Sequence, residues 1–419
     1  MKESLAGLEL APLLASEAID AGAEEELFRR LGQQAAGEQL RQRWEEADGP
    51  AILQCAFCQQ SLKPMGRRKK QLRTVCGLVR LERRVYYCQQ CGQMRAPLDQ
   101  RLGVEQGSMT PGLMRLVCRT ALELPFQQSQ QLLSDTLGFS PCSAREAERV
   151  AQRHGQLIEQ SQSLAANDRG PRSKPGRKAR YCLAIDGVMI PGLPDAVEHC
   201  LRWHDVKLAV GFDPGKVRPP FYVAGREDAE KFGQRLWYQL QCRRLDRDSF
   251  QMILGDGAPW IWNLADLHLP GVPHLLDFYH AAQHLFATAQ LLWPATKADR
   301  WWHRRLAQLQ EGDLTNFFAA LKRLARTHPN IVSDGSPERL LQYFLGNQKR
   351  LSYEWALKNH LPIGSGSVES AARHIVQQRL KQSGMRWSDP GAQSILNLRT
   401  LHRNGEFEQY WENFVAAGF

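Results

Sequence analysis

A multidomain α+β fold is predicted by three features of this sequence. Two Cys-x-x-Cys pairs bracket a strand-like stretch, two apolar runs of strand length end in Asp-Gly, and a long helical pattern precedes a glycine-rich turn. At 419 residues the chain suggests two to four domains with ample apolar content for real cores. The formal net charge of +10 and a pI of about 9.2 point to a polyanionic partner, nucleic acid first. No apolar run approaches the roughly 20 residues of a membrane helix. Met1 to Asp20 carries acids where a signal peptide would start basic, so a cytoplasmic protein with no membrane partner is expected. Ten cysteines in a chain this long do not make a disulfide scaffold; four read as metal ligands and the rest as core thiols.

Residues 1–49 read as helical, with Leu8, Leu10, Leu13, Leu14, Leu27, Leu31 and Leu40 on loosely periodic faces and no legible function. Residues 50–105 change texture. Cys55-x-x-Cys58 and Cys88-x-x-Cys91 flank two strands turning near Cys76-Gly77, the second alternating through Val79, Leu81, Arg83, Val85 and Tyr87. Two such knuckles match a zinc ribbon, in which four thiolates close on one Zn2+ and folding depends on the metal. Arg67, Arg68, Lys69 and Lys70, with Arg73, Arg80, Arg83 and Arg84, lie between the knuckles as a plausible DNA-binding face.

Residues 106–161 turn helical, in segments beginning near Pro111, Phe126 and Ser143. Gly138 stops the second, and Ser143 with Glu146 has capping-box spacing for the third. This is a helix-turn-helix-like DNA-binding region with a slightly long turn, or else a helical connector. Arg145, Arg149 and Arg153 recur at i, i+4 and i+8 as its candidate DNA contacts, a spacing that a solvated helix would also show. Residues 162–180 form a basic linker in which Arg177 and Lys178 could track a phosphate backbone or simply be solvated.

Residues 181–280 read strand (181–190), strand (201–212), strand (220–225), helix (227–243), strand (249–255), helix (258–267), strand (272–277), helix. That is the element order of a ribonuclease-H-like α/β domain, with Asp186 and Asp256 on adjacent strands. An all-helical insertion follows over 281–360. Its expected core is Trp293, Trp301, Trp302, Phe317, Phe318, Leu321, Leu324, Tyr343 and Phe344. Residues 361–403 return to the core and carry Glu369 on a helix; 404–419 form a C-terminal helix.

Asp186, Asp256 and Glu369 each lie beside glycine, Asp186 and Asp256 after apolar strands and Glu369 after Gly364-Ser365-Gly366. The glycines are expected to let a phosphate backbone approach without a side chain in the way. Each acid alone would pass for an ordinary turn Asp or helix-start Glu. Together they suit two Mg2+ (or Mn2+) ions and phosphodiester chemistry, because carboxylate oxygens balance the ions' charge. Asp277 in Asp277-Phe278-Tyr279-His280 is the rival to Asp256; Asp277 and His280 are read as supporting or phosphate-facing groups, His280 alternatively as structural. Arg386 and Trp387 are candidate DNA contacts near the scissile phosphate, Trp387 alternatively as core.

Asp186-Gly187, Gly255-Asp256-Gly257-Ala258-Pro259-Trp260-Ile261-Trp262, Asp277-Phe278-Tyr279-His280, Leu361 through Ser370 and Leu380 through Trp387 closely resemble DDE transposases of bacterial insertion sequences of the ISKra type. The related Mutator-like group shares the pattern. The likeness covers roughly residues 51–402. It implies a ribonuclease-H-like core with a helical insertion, Mg2+-dependent DNA cleavage and strand transfer, and a D-x-x-H motif near the active site. Gln89-Gln90 in the second knuckle departs from the small residues such ribbons often carry. The expected partners are double-stranded DNA (transposon ends and target) and further copies of the chain, as a homodimer or higher oligomer on DNA. Two other classes remain: a domesticated DNA-binding regulator with an inactive nuclease core, and a ribonuclease-H-like nuclease without strand transfer.

Overall fold

Alternation and turn chemistry build the first sheet. In the computed structural model, which describes residues 20–50, 53–55, 57–168, 180–194, 202–333 and 335–416, β1 (Lys63–Thr74) and β2 (Gly77–Tyr87) pair antiparallel, and β3 (Met94–Arg95) adds to β2. The hairpin closes with Thr74 opposite Gly77, whose φ of +103° is a conformation glycine takes without strain. Val79, Leu81 and Val85 point inward, and Leu72, Val79 and Leu81 share a core with Leu98 and Val104.

Helix α1 (Ala21–Ala47) packs on this sheet through Leu40 and Trp44. Its carboxyl end also covers the side of β2 that β3 leaves open. Glu45 Oε1 accepts the Glu82 N–H at 2.8 Å and Asp48 Oδ2, just past the helix, accepts the Arg84 N–H at 2.6 Å. Unpaired strand donors are thereby satisfied. The expected helical faces at Leu8 to Leu14 and the linker residues Arg177 and Lys178 lie outside the described residues.

Short α2 (Pro97–Arg101) precedes α3 (Pro111–Ala121), α4 (Phe126–Leu137) and α5 (Ala144–Asp168). Pro111 opens α3, where a missing N–H costs nothing. Gly138 ends α4 at φ +72°. Ser143 and Glu146 cap α5 reciprocally, Glu146 N–H to Ser143 Oγ at 3.2 Å and Ser143 N–H to Glu146 Oε2 at 3.0 Å.

The second sheet holds β4 (Tyr181–Pro191), β5 (Trp203–Phe212), β6 (Phe221–Gly225), β7 (Phe250–Gly255) and β8 (His274–Leu276), in the order β6-β5-β4-β7-β8. The β6-β5-β4 pairs are antiparallel; β4-β7 and β7-β8 are parallel. Helix α6 (Ala229–Cys242) connects β6 to β7 and α7 (Pro259–His268) connects β7 to β8. A helical block follows: α8 (Phe278–Leu292), α9 (Ala295–Gln310), α10 (Leu314–Thr327), α11 (Pro337–Gly346) and α12 (Tyr353–Lys358). Phe317, Phe318, Leu321, Leu324 and Phe344 form its core as expected, whereas Trp293, Trp301, Trp302 and Tyr343 are only half-buried. The large amphipathic rings keep an edge at the surface, and the Trp302 indole N–H reaches the Ala282 carbonyl at 2.9 Å.

After the glycine-rich turn come α13 (Gly366–Ala371), a π-helical segment (Ala372–Gln377) and α14 (Gln378–Leu380), then α15 (Asp389–Arg403) and α16 (Phe407–Ala416). Helix α13 packs against β4 and β5, and α15 against β6. The described residues fall into two compact units, one within Met1–His154 and Gly405–Phe419, the other within Gly155–Asn404. Among them no helix is long and apolar enough to cross a membrane.

Candidate active site and metal centre

Parallel pairing of β4 with β7 sets two of the candidate acids. Ala184 pairs with Leu254, so two residues further on Asp186 and Asp256 emerge at neighbouring positions. Asp186 is half-buried and accepts the Gly187 N–H at 2.7 Å. Burial raises its carboxyl to about pH 6; the Gly187 N–H opposes this, the charge of Asp256 adds to it, His280 opposes it and Asp277 adds to it. Asp256 is half-buried too; its Oδ1 accepts the Ala258 N–H at 2.9 Å, and its carbonyl accepts the Tyr343 hydroxyl at 2.9 Å.

Glu369, in the first turn of α13, opens onto the same cleft as Asp186. Its Oε1 accepts the Ser365 hydroxyl at 3.2 Å, and its N–H bonds the Ser365 carbonyl at 2.9 Å. Asp186, His280 and Glu369 line one cleft of about 770 Å³, with Gln283, Arg373 and Lys381 on its walls. A second cavity of about 990 Å³, bearing Lys216, Arg218 and His360, shares Gly366 and Ser370 with it.

Asp277 has a different position from the other acids. It is 0% exposed and caps α8, with Oδ1 accepting the N–H groups of Tyr279 (2.6 Å) and His280 (3.1 Å) and Oδ2 accepting the Ser365 N–H (2.7 Å). The Phe278 N–H adds a bond to the Ile363 carbonyl at 2.9 Å. The turn carrying Glu369 is thus fastened to the head of α8, in the sequence Asp277 to Ser365 to Glu369. A carboxylate so enclosed is not phosphate-facing, and that part of the expectation is corrected. His280, in the first turn of α8, lines the cleft.

The glycines beside the acids serve mainly the fold. A Cβ on Gly187 would come within 2.8 Å of Asp205 Oδ1, one on Gly364 would run into the Tyr279 ring, and Gly257 needs its φ of +104°. Open space surrounds Gly366 alone of this group. The donor set fits a hard divalent cation: carboxylate oxygens, with Asp186 and Asp256 half-buried on neighbouring strands and Glu369 exposed at the cleft. Among the described residues, however, the one set of three or more possible ligands with all ligand atoms within 4.8 Å is the four cysteines, so the three acids are not drawn to a single point.

Cys55, Cys58, Cys88 and Cys91 do converge. Their sulfurs stand 3.3 Å (Cys55 to Cys91), 3.4 Å (Cys58 to Cys88) and 3.8 Å (Cys58 to Cys91) apart. Four thiolates about 2.3 Å from one tetrahedral ion lie roughly 3.8 Å from each other, so this set can hold zinc. The two knuckles have the same backbone plan: the N–H of Gln59 and of Gly92 bonds the carbonyl of Cys55 and of Cys88, each at 2.9 Å, and both residues take positive φ. Knuckle N–H groups aim at the first sulfur of each pair; those of Cys58 and Phe57 lower Cys55 to about 6, and that of Cys91 leads the lowering of Cys88.

The basic candidates divide by environment. Arg68 and Lys69 are exposed, and Arg67 lies 3.9 Å from Asp48. Lys70 is instead spent inside the fold, 2.9 Å from Asp99 and 2.6 Å from the Val104 carbonyl, and Arg83 bonds the same Asp99 at 2.9 Å. Arg145 and Arg149 are exposed on α5 and Arg153 is half-exposed. Arg386 is exposed, but Trp387 is buried at 7% exposure. Its indole N–H donates to the Leu380 carbonyl at 3.0 Å and Arg379 lies 5.0 Å from its ring. Trp387 also bridges to the end of β4 through its N–H to the Pro191 carbonyl. It is a core residue here, and the expected base stacking is corrected accordingly.

Sequence reasoning missed Gln283, Arg373 and Lys381 as cleft residues. Arg373 lies in the π-helical segment, a distortion with no local sequence signature. Arg399, buried on α15, satisfies the strand of carbonyls there, donating to Ile375 at 2.7 Å and to His374.

No protein-family model matches the chain, and no curated protein does. Among solved structures it is similar to a Drosophila P element transposase strand transfer complex, at 10% identity and a TM-score of 0.24 over 75% of this chain and 83% of that one, a likeness too loose to build on.

Proposed function

We propose that this chain is a DNA transposase of an insertion sequence, a cytoplasmic enzyme that binds the element's ends and performs two-metal cleavage and strand transfer on a ribonuclease-H-like sheet. One observation carries the reading. Asp186 and Glu369, far apart in sequence, open onto one cleft, and Asp256 leaves the neighbouring strand beside Asp186. Three antiparallel strands followed by two parallel ones, with helical crossovers, support it.

Asp186, Asp256 and Glu369 would hold two Mg2+ (or Mn2+) ions, which when bound activate an attacking hydroxyl and stabilise the leaving oxygen. The remaining work falls to the chain itself. Asp277 fixes the Glu369 turn through the Ser365 N–H. Arg373 and Lys381 offer charge to a phosphate in the cleft, and His280 offers a proton donor or acceptor there. Cys55, Cys58, Cys88 and Cys91 hold Zn2+ and so shape the surface bearing Arg67, Arg68 and Lys69. Arg145, Arg149 and Arg153, with Arg177, Lys178 and Arg386, extend DNA contact to further segments, and synapsis of two ends calls for a dimer or higher oligomer.

The test uses duplexes carrying the sequences that flank the gene, with supercoiled plasmid as target. Asp186→Asn, Asp256→Asn and Glu369→Gln are each expected to abolish Mg2+-dependent cleavage and joining while leaving DNA binding intact, since each amide keeps shape but removes an anionic ligand. Cleavage without joined products would assign a nuclease; binding without cleavage by the unmutated protein would assign a regulator. Full activity in the Asp256 variant with none in Asp277→Asn would exchange those two acids.

A further inference from the structure

Lys381 connects the acid cleft to a feature that the proposed chemistry leaves unused. Its side chain lines the cleft with Asp186 and Glu369, and its Nζ lies 5.4 Å from the centroid of the Trp203 ring. Trp203 opens β5 opposite Pro191 and is 50% exposed. Exposed apolar neighbours continue the surface: Met189, which also lines the cleft, and Leu193 just past the end of β4. An indole held against a cation on one side, with half its surface open and a path of apolar side chains toward paired acids, has the chemistry of a stacking platform for an uncharged aromatic ring.

We infer that Trp203 and Lys381 form a binding site for an unpaired nucleobase at the end of a DNA strand, the base stacking on the indole and the adjoining phosphate meeting Lys381. The site rests on the reading of the cleft as a DNA-processing centre, but it binds without chemistry. A paired duplex buries its bases against each other and cannot offer a free face, so the platform distinguishes frayed or overhanging ends from blunt ones. It replaces, at a different position, the stacking role that the buried Trp387 cannot serve.

The experiment measures fluorescence anisotropy of labelled duplexes of one sequence, blunt or with a four-nucleotide single-stranded end, bound to the full chain with EDTA-free buffer and Ca2+ in place of Mg2+. The unmutated protein should prefer the overhang. Trp203→Ala should weaken overhang binding on the order of 10-fold, the loss of one base–aromatic stack, and leave blunt-end binding unchanged. Trp203→Phe should restore most of the preference, and Lys381→Ala should lower overhang affinity and flatten its salt dependence. The partial exposure of Trp203 makes folding of these variants checkable by their melting temperature alone. No preference in the unmutated protein, equal loss on both duplexes, or full preference in Trp203→Ala would overturn the site. So would a changed oligomeric mass of DNA-free Trp203→Ala, which would assign the indole to a contact between copies. Because no outcome depends on cleavage, failure here is distinct from failure of the acid triad.

Discussion

At the scale of single residues, the distinction that matters is between acids that face the cleft and the acid that builds it. Asp277 accepts three backbone N–H groups at zero exposure. Replacing it with Ala leaves those donors buried and unpaired, and replacing it with Asn sets an amide NH2 against at least one of them. Either change should destabilise the protein by about 2–4 kcal/mol, read as a fall in urea midpoint at constant slope. Activity should fall with it, because the Ser365 turn that carries Glu369 loses its anchor; on the order of 10 to 100-fold is expected at temperatures where the variant remains folded. A variant of unchanged stability and lost activity would instead make Asp277 a direct participant. The sequence made Asp277 visible as a strand-end acid before a helix, but not its three donors, because the Ser365 N–H comes from 88 residues away. Trp387 shows the same limit in reverse: Arg beside Trp in a turn leaves a surface clamp and a core ring both open until the backbone bonds to Pro191 and Leu193 and the burial of the ring decide for the core.

Among elements, those with local signals were legible and those set by distant partners were not. The hairpin turn at Gly77, the stop at Gly138 and the Ser143–Glu146 cap are each written within a few residues, and each stands where its chemistry requires. Helix α1 was legible as a helix, but not its role, which lies in two carboxylates, Glu45 and Asp48, spent on the backbone of β2. The π-helical segment was unreadable because the arginine that accommodates it, Arg399, sits on another helix. The knuckles fall in between: their spacing is local, yet their energy depends on the four sulfurs meeting. With a core of few side chains around Cys55 and Cys88, that part of the chain should lose order when the metal is taken away. We expect one zinc per chain by elemental analysis, and loss of protection from hydrogen exchange over 53–95 on chelation or in Cys88→Ser. Gln59, held at φ +58° where the second knuckle has Gly92, supplies an internal control. Gln59→Gly should stabilise the first knuckle by about 1 kcal/mol, since a side chain is strained in that conformation, and should raise the chelator concentration needed to release the metal. Retained protection without zinc would show that the hairpin folds on its own apolar contacts.

For the whole molecule, the unit containing the cysteine sheet is completed by the far end of the chain. Helix α16 brings Trp411 and Phe414 against His154, with ring centroids 4.4 and 4.8 Å away, and the Tyr410 hydroxyl meets His154 Nδ1 at 2.8 Å. Those contacts join residues more than 250 positions apart, a pairing that no periodicity in either helix could disclose. They also set a pH response. Burial, with a smaller contribution from Arg153, lowers His154 from an ordinary 6.5 to about 3. A histidine whose folded pKa is depressed contributes stability that is fully present above its unfolded pKa and is lost as pH falls toward the folded one. Between pH 6.5 and about 3, this residue should therefore cost the unit on the order of 1.4 kcal/mol for each pH unit of acidification. His154→Gln keeps a polar contact for Tyr410 and cannot titrate, so the difference in stability between the two proteins should narrow steadily over that window. Loss of zinc in acid adds to both and cancels in the difference. The measurement is hydrogen exchange of α3 and α16 against pH; the sheet of the other unit, followed through β4 and β7, should show no change attributable to the substitution. A pH-independent difference would mean that His154 is already protonated in the folded protein, with a charge stabilised by the Tyr410 oxygen and the faces of Trp411 and Phe414.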